Sequence, residues 1–388
     1  MNAQTTAAVT WLRRNLPGDD AAQADVLESL TTAMLAGGNR PAAEALLAQI
    51  YQQLGEEHLR RMVDVLADSK DPKRWLLAGL IGQNLPAPDD VRLGDSQIRR
   101  AVDAMPEDRW TLLVAATLCD VHCAVPDAAV RLSRIDPDNL FAWAAQAGTS
   151  AEASAYFASN AKAGPSIYRT RLRTLVAQAA RATRWDDGMG QIMLDVVRAS
   201  KLTGVPVPAA MILPTHAFGE EGGEDRDYAA FIAAWNFPVV RTRMFAQFCD
   251  PSANNPNRSD MDDAKLRADC VQIGRTLGYS HGMPIVIRSG EIMLRRLEKG
   301  TAVEQDMLRR RRQYAWMEEH GFGSDAHAPG ETPESFVEDY ARLGELGAIL
   351  HRFDRLGIPR EPPPGWQPKD PSALLLPEDR KPASGAKQ

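Results

Sequence analysis

The chain has 388 residues, 44% hydrophobic and 25% charged, with a formal charge of -6 and a sequence pI near 5.7. That balance is the composition of an ordered globular protein, and its acidity argues against nucleic-acid binding, which needs a clustered positive field. No run of eighteen uncharged apolar residues occurs, so membrane insertion is not expected.

The first segment, "MNAQTTAAVTWLRRNLPGDD", places Arg13 and Arg14 after a short apolar stretch and does not read as a secretory leader. A cytoplasmic protein is the expectation, with a periplasmic one as the alternative if the cysteines are bonded. "DAAQADVLESLTTAMLAGG" follows with apolar residues at helical spacing, stopping at Gly37 and Gly38. Pro41 opens the next helix, "PAAEALLAQIYQQLG", where a missing N–H costs nothing. "EEHLRRMVDVLADS" begins with acids, and "DPKRWLLAGLIGQN" sets Asp71 as cap and Pro72 as first helical residue. Strand candidates are limited to "VPVP" at 205 and "PIVI" at 284, both short and proline-containing. The chain is predicted to be all-α.

Trp75, Trp110 and Trp143 lie 35 and 33 residues apart, each following a helix-opening proline: Pro72, Pro106 and Pro137. "DPDNLFAWAAQA" is followed by "AEASAYFASNAKAGP", whose Ala153, Phe157 and Pro165 stand at offsets similar to those of the second helix of a helix-turn-helix repeat unit. Over roughly residues 55 to 165 this pattern resembles the tetratricopeptide repeat, a helix-turn-helix unit of about 34 residues. The resemblance implies stacked helical hairpins, an irregular solenoid-like array, and a concave face able to take an extended peptide or partner helix. The tryptophans are expected to serve as core anchors between neighbouring helices.

Four cysteines invite either metal or disulfide chemistry. Cys119, His122 and Cys123 lack the second ligand pair that a structural zinc needs, so no metal is expected there. Cys119 and Cys123 flank a predicted turn, whereas Cys249 ends "RMFAQFCD" and Cys270 lies in a helix read as capped by Ser259. These four form a candidate disulfide framework whose pairing the sequence leaves open, with reduced, buried thiols as the alternative.

Between 204 and 224 three prolines and a glycine cluster interrupt the helices and predict a linker. His216 there neighbours Glu220, Glu221, Glu224 and Asp225, the one grouping that offers an enzymatic or metal-dependent alternative. Helices are predicted to resume over 225–356. His320, Asp325 and His327 cluster near a helix end, His320 facing the dipole before Gly321, and Thr332, Glu334 and Ser335 mark the next helix start. No catalytic residue, cofactor or metal ligand set is assigned, since no phosphate cradle, nucleophile elbow or zinc-binding motif is present. Arg309, Arg310, Arg311 and Arg312 form a candidate partner-binding row. Asp306 lies three and four residues ahead of the first two, which favours a solvated helix face.

The tail, 357–388, is proline-rich and predicted to be extended, with disorder beyond Leu376. Trp366 is a candidate partner-binding residue, and docking on the protein's own helices is its favoured fate. The resulting expectation is a helical-repeat region over 1–203, a linker over 204–224, a second helical region over 225–356 and the tail. Its expected role is to bind or scaffold a protein or peptide.

Overall fold

The computed structural model describes residues 56–83, 85, 94–118, 125, 127–148, 166–205, 243–252, 258–321, 328, 331 and 333–380. Among these the fold is all-α, without a strand; extended backbone pairs in a single isolated bridge between Asn139 and Arg184. The described residues fall into two compact units, one drawn from 1–125, 191–238 and 332–337, the other from 126–190, 239–331 and 338–388. From residue 206 on, the expected linker lies outside the described residues, as do Cys119, His122, Cys123, His216 and the acidic loop 220–225. Asp325 and His327 also lie outside them.

The first unit contains α1 (56–67), α2 (Pro72–Gly82), α3 (Asp95–Ala104), α4 (Arg109–Leu118) and most of α8 (Met189–Thr203). Asp71 caps α2 by accepting from the Lys73 N–H, and Pro72 is the first helical residue, as the sequence predicts. Every residue of α2 from Leu76 to Gly82 is buried, because the helix packs against both α3 and α4. Its crossing with α3 is made by glycines: a Cβ on Gly79 would stand 2.5 Å from Ile98, and one on Gly94 would stand 2.2 Å from the Gly79 carbonyl.

Pro106 and Pro137 do not open helices. α4 starts at Arg109 and α6 (Leu140–Gly148) at Leu140, so both prolines sit in the preceding turns. Asp108 performs the start of α4, its carboxylate accepting from the Thr111 N–H at 2.8 Å.

The second unit holds α5 (Ala128–Ile135), α6, α7 (Ser166–Ala179), α9 (Arg243–Phe248), α10 (Ala264–Gly278), α11 (Pro284–Leu297) and α12 (Ala302–Gly321). It also takes in most of α13 (Pro333–Leu356) and the tail. "PIVI" is the first turn of α11, not a strand. α10 begins later than expected: its cap is Asp263, accepting from the Lys265 and Leu266 N–H groups, and Ser259 lies in a separate 3₁₀ turn, Arg258–Asp262.

α10 and α11 form a close antiparallel-type pair whose contact is again glycine on glycine. A Cβ on Gly290 would lie 2.1 Å from the Gly278 nitrogen and 2.7 Å from the Gly274 carbonyl. Cys249 and Cys270, both sealed from solvent, stand at disulfide distance with S–S 2.08 Å, tying the end of α9 to α10. Asn139, fully buried, fastens the start of α6 to the segment 184–187. Its side-chain amide donates to the Asp186 carbonyl at 2.8 Å, and its oxygen accepts from the Phe141 and Asp186 N–H groups.

A second apolar cluster joins Ile287, Tyr314, Trp316, Met317, Leu346, Ile349 and Phe353, with Ile358 and Trp366 of the tail against it. α13 is broken at Gly344, whose φ of 75° is open to glycine without penalty. A Cβ there would also meet the His281 carbonyl at 2.0 Å, so the kink is pinned to the loop before α11. Gly357, at φ 69°, ends the helix, and the Ile358 N–H returns to the Phe353 carbonyl as in a Schellman cap.

Candidate functional site

The three tryptophans of the predicted repeat are half-buried, not sealed core anchors. Trp75 and Trp143, each the fourth residue of its helix, share one device: the indole N–H donates to the carbonyl six residues earlier, Ser69 at 2.5 Å and Pro137 at 2.9 Å. Arg100 stacks on the outer face of Trp75, 3.6 Å from the ring centroid. Trp110 departs from the pattern and bonds instead to Asp195, whose carboxyl is pushed up mainly by burial.

The arginine row on α12 also differs from a solvated helix face. Only Arg309 matches that expectation, being 62% exposed and paired with Asp306 at 2.6 Å. Arg310 turns over the Tyr279 ring at 4.7 Å, and its Nε is buried without a hydrogen-bond partner. Arg311 is buried, its Nε donating to the Ala373 carbonyl at 2.7 Å. Arg312 donates to the carbonyls of Pro363 at 2.7 Å and Trp366 at 2.9 Å. Three of the four therefore face elements distant in sequence.

Arg312 belongs to a longer track. Along α12, Trp316 donates its indole N–H to the Pro359 carbonyl at 2.8 Å, and Gln313 reaches the Arg360 carbonyl at 3.3 Å. From α11, Arg295 donates to the Leu374 carbonyl at 3.1 Å and Arg288 to the Leu375 carbonyl at 3.0 Å. Together with Arg311 and Arg312, these side chains engage seven tail carbonyls: those of Pro359, Arg360, Pro363, Trp366, Ala373, Leu374 and Leu375. Trp366 docks edge-on against Trp316, ring centroids 5.3 Å apart. His320 stacks on the same Trp316 at 3.7 Å, its Nδ1 2.8 Å from the Trp316 carbonyl at the last turn of α12.

The tail's own sequence fits this role. Pro359, Pro362, Pro363, Pro364 and Pro368 have no N–H, so the segment offers acceptors and few donors. Pro364 and Gly365 form a tight turn, Gly365 at φ 80° and the Trp366 N–H bonded back to the Pro363 carbonyl, which presents Trp366 to the cluster. Contrary to the predicted disorder beyond Leu376, residues 377–379 form a 3₁₀ turn, and Glu378 makes a two-pronged ion pair with Arg296 at 2.9 and 2.6 Å. The Glu378 carboxyl is held below its ordinary range by these bonds, and the Arg296 guanidinium is raised by the same pairing.

No family model, curated protein or solved structure matches this chain. Its functional reading rests on the geometry alone.

A second grouping escaped the sequence reading. Glu345, 2% exposed just past the α13 kink, accepts from the Tyr340 hydroxyl at 2.9 Å. Burial first, and then the neighbouring Asp187, push its carboxyl up to about 7. Asp187 is likewise raised by burial, although it accepts from the Met189 N–H and the Trp185 indole at 3.1 Å each. The Tyr314 hydroxyl is buried without a hydrogen-bond partner. The pair is closed to solvent, which suits a structural acid more than a substrate-facing one. Among the described residues, no cluster of three or more metal-ligating side chains occurs, and no helix is long and apolar enough to cross a membrane.

Proposed function

We propose that the protein is a peptide-binding module whose reading surface is the track of Arg288, Arg295, Arg311, Arg312, Gln313 and Trp316 on α11 and α12. One observation carries this reading: seven main-chain carbonyls of an irregular, proline-rich segment accept hydrogen bonds from side chains fixed on these two helices. Recognition through carbonyls is indifferent to most side chains, and a tryptophan in an aromatic niche supplies the anchor. That division between main-chain affinity and side-chain pockets is how extended peptides are commonly bound. In the present fold, residues 359–378 of the same chain act as the occupant.

The resemblance of the first half to a helical repeat favours a scaffolding role in addition. The shared indole-to-carbonyl device of Trp75 and Trp143, 68 residues apart, is consistent with two copies of a unit of about 34 residues.

Binding is testable with the full chain carrying Trp366→Ala, which removes the anchor and loosens the tail. A fluorescein-labelled peptide of residues 357–380 should bind this variant saturably in fluorescence anisotropy, and Arg312→Ala added to it should weaken binding severalfold. Absence of binding, with hydrogen exchange showing the tail released and the helices folded, would overturn the proposal.

A further inference from the structure

The track carries more positive charge than its occupant answers. Four guanidiniums lie along it, Arg288, Arg295, Arg311 and Arg312, and a fifth, Arg296, adjoins them on α11. On the helical body they are met by Glu291, which bonds both Arg288 and Arg295, by Asp250 on Arg296 at 2.8 Å, and by Glu318 on Arg311 at 3.3 Å. The tail adds one carboxylate to this group, that of Glu378. Elsewhere among the described residues it meets them with neutral carbonyls, where a carboxylate would bring an opposite charge and a two-pronged geometry.

Over three consecutive tail residues, the guanidiniums of Arg288, Arg295 and Arg311 share two carboxylates, Glu291 and Glu318, and the tail brings no further one. Ala373, Leu374 and Leu375 each place a carbonyl on a different arginine, Arg311, Arg295 and Arg288 in turn. Their side chains are apolar, and Leu375 is left 40% exposed directly beside these cations. An apolar side chain in water next to a guanidinium contributes neither burial nor charge. Burial disfavours the charged form of Arg288, as do the nearby Arg311 and Arg380 cations, while the Glu291 carboxylate works against them.

Building on the peptide-binding reading, we infer that the track's preferred ligand is an acidic extended peptide, with carboxylates in the register of Ala373 and Leu375. The cis tail is its resident competitor. The tail is held by separate contacts, the Trp366 ring on Trp316, the carbonyls of residues 373–375 on three arginines, and Glu378 on Arg296, so it can be displaced in steps. An incoming peptide can replace the arginine-facing stretch first and the aromatic anchor afterwards. The ligand remains a peptide because the aromatic niche and the carbonyl spacing would be unused by a plain polyanion.

Two probes decide the matter: the labelled peptide 357–380, and the same peptide carrying Ala373→Glu and Leu375→Glu. Both are titrated against full-length wild type, Trp366→Ala and Glu378→Gln proteins, each checked by circular dichroism. The acidic peptide should bind the two loosened proteins about tenfold more tightly than the plain peptide at low salt. That advantage should shrink in high salt and disappear when Arg288→Gln is added. Wild type should bind both peptides more weakly than either loosened variant. Equal affinity for the two peptides would overturn the acidic-ligand inference while leaving the peptide-binding proposal intact; failure of both to bind the released track would end both. Tighter binding of a short single-stranded DNA than of the acidic peptide would also overturn the inference.

Discussion

The Tyr340 hydroxyl donates to a Glu345 carboxylate oxygen at 2.9 Å, both groups buried where α13 breaks at Gly344. The groups around that carboxyl are Tyr340 on its own helix, Asp187 before α8 and Tyr314 on α12, with no cation among those that shift it. Its folded-state value near 7 lies above the ordinary 4.5, so the folded protein holds this proton more tightly than the unfolded chain does. The contribution is fully present below about pH 4.5 and is lost as pH rises through about 7. Glu345→Gln, neutral at every pH, should therefore stabilise the protein at pH 8 relative to wild type. The advantage should vanish at pH 4.5, with a swing on the order of 2–3 kcal/mol in urea-unfolding free energy. Parallel pH profiles for the two proteins would refute it.

Asn139 uses both ends of its amide to hold the start of α6 against residues 184–187. Asn139→Ala leaves the buried Phe141 N–H and the half-buried Asp186 N–H without their acceptor and should cost about 2–4 kcal/mol. Asn139→Asp, which keeps the acceptor oxygens but loses the donor to the Asp186 carbonyl and adds a charge beside Asp136, should not restore stability. Thermal or urea denaturation reads both.

Gly290 meets the backbone of Gly278, so an added methyl cannot be accommodated by a side-chain rotation. Gly290→Ala should destabilise the second unit by about 1–3 kcal/mol or more, visible as earlier unfolding of α10 and α11 in hydrogen exchange. Ser289→Ala, one residue away on the exposed face, should change stability by no more than about 0.5 kcal/mol.

Cys249 and Cys270 close a loop of 21 residues. Alkylation of the native protein without reductant should leave these two unlabelled and their tryptic peptides linked in mass spectrometry. Reduction should then lower unfolding free energy by about 3 kcal/mol. The same spectrum counts the state of Cys119 and Cys123.

What could be read in advance was local. Asp71 and Pro72 announced the start of α2 because cap and first turn are adjacent in sequence. The start of α10 is hard to place because Ser259 and Asp263 are both competent caps, and Ser259 is taken up in the 3₁₀ turn that precedes Asp263. The arginine row was misread for a different reason. Asp306 lies at helical distance and suggests a solvated face, whereas the orientation of Arg311 and Arg312 is set by residues 51 to 62 positions later. Glu345 sits in "RLGELGAIL" with no neighbour in sequence to mark it as buried. Gly344 beside it was the available sign, since a glycine inside a helical pattern often records a close approach of another backbone, here His281.

The five prolines of residues 359–368 carry a consequence beyond recognition. A strand edge spreads from molecule to molecule by offering alternating donors and acceptors, and half of the ten residues here have no donor to offer. Even when lifted from its helices, it cannot template a fibril along this stretch. Release of this segment from its helices would therefore not expose a seed for aggregation.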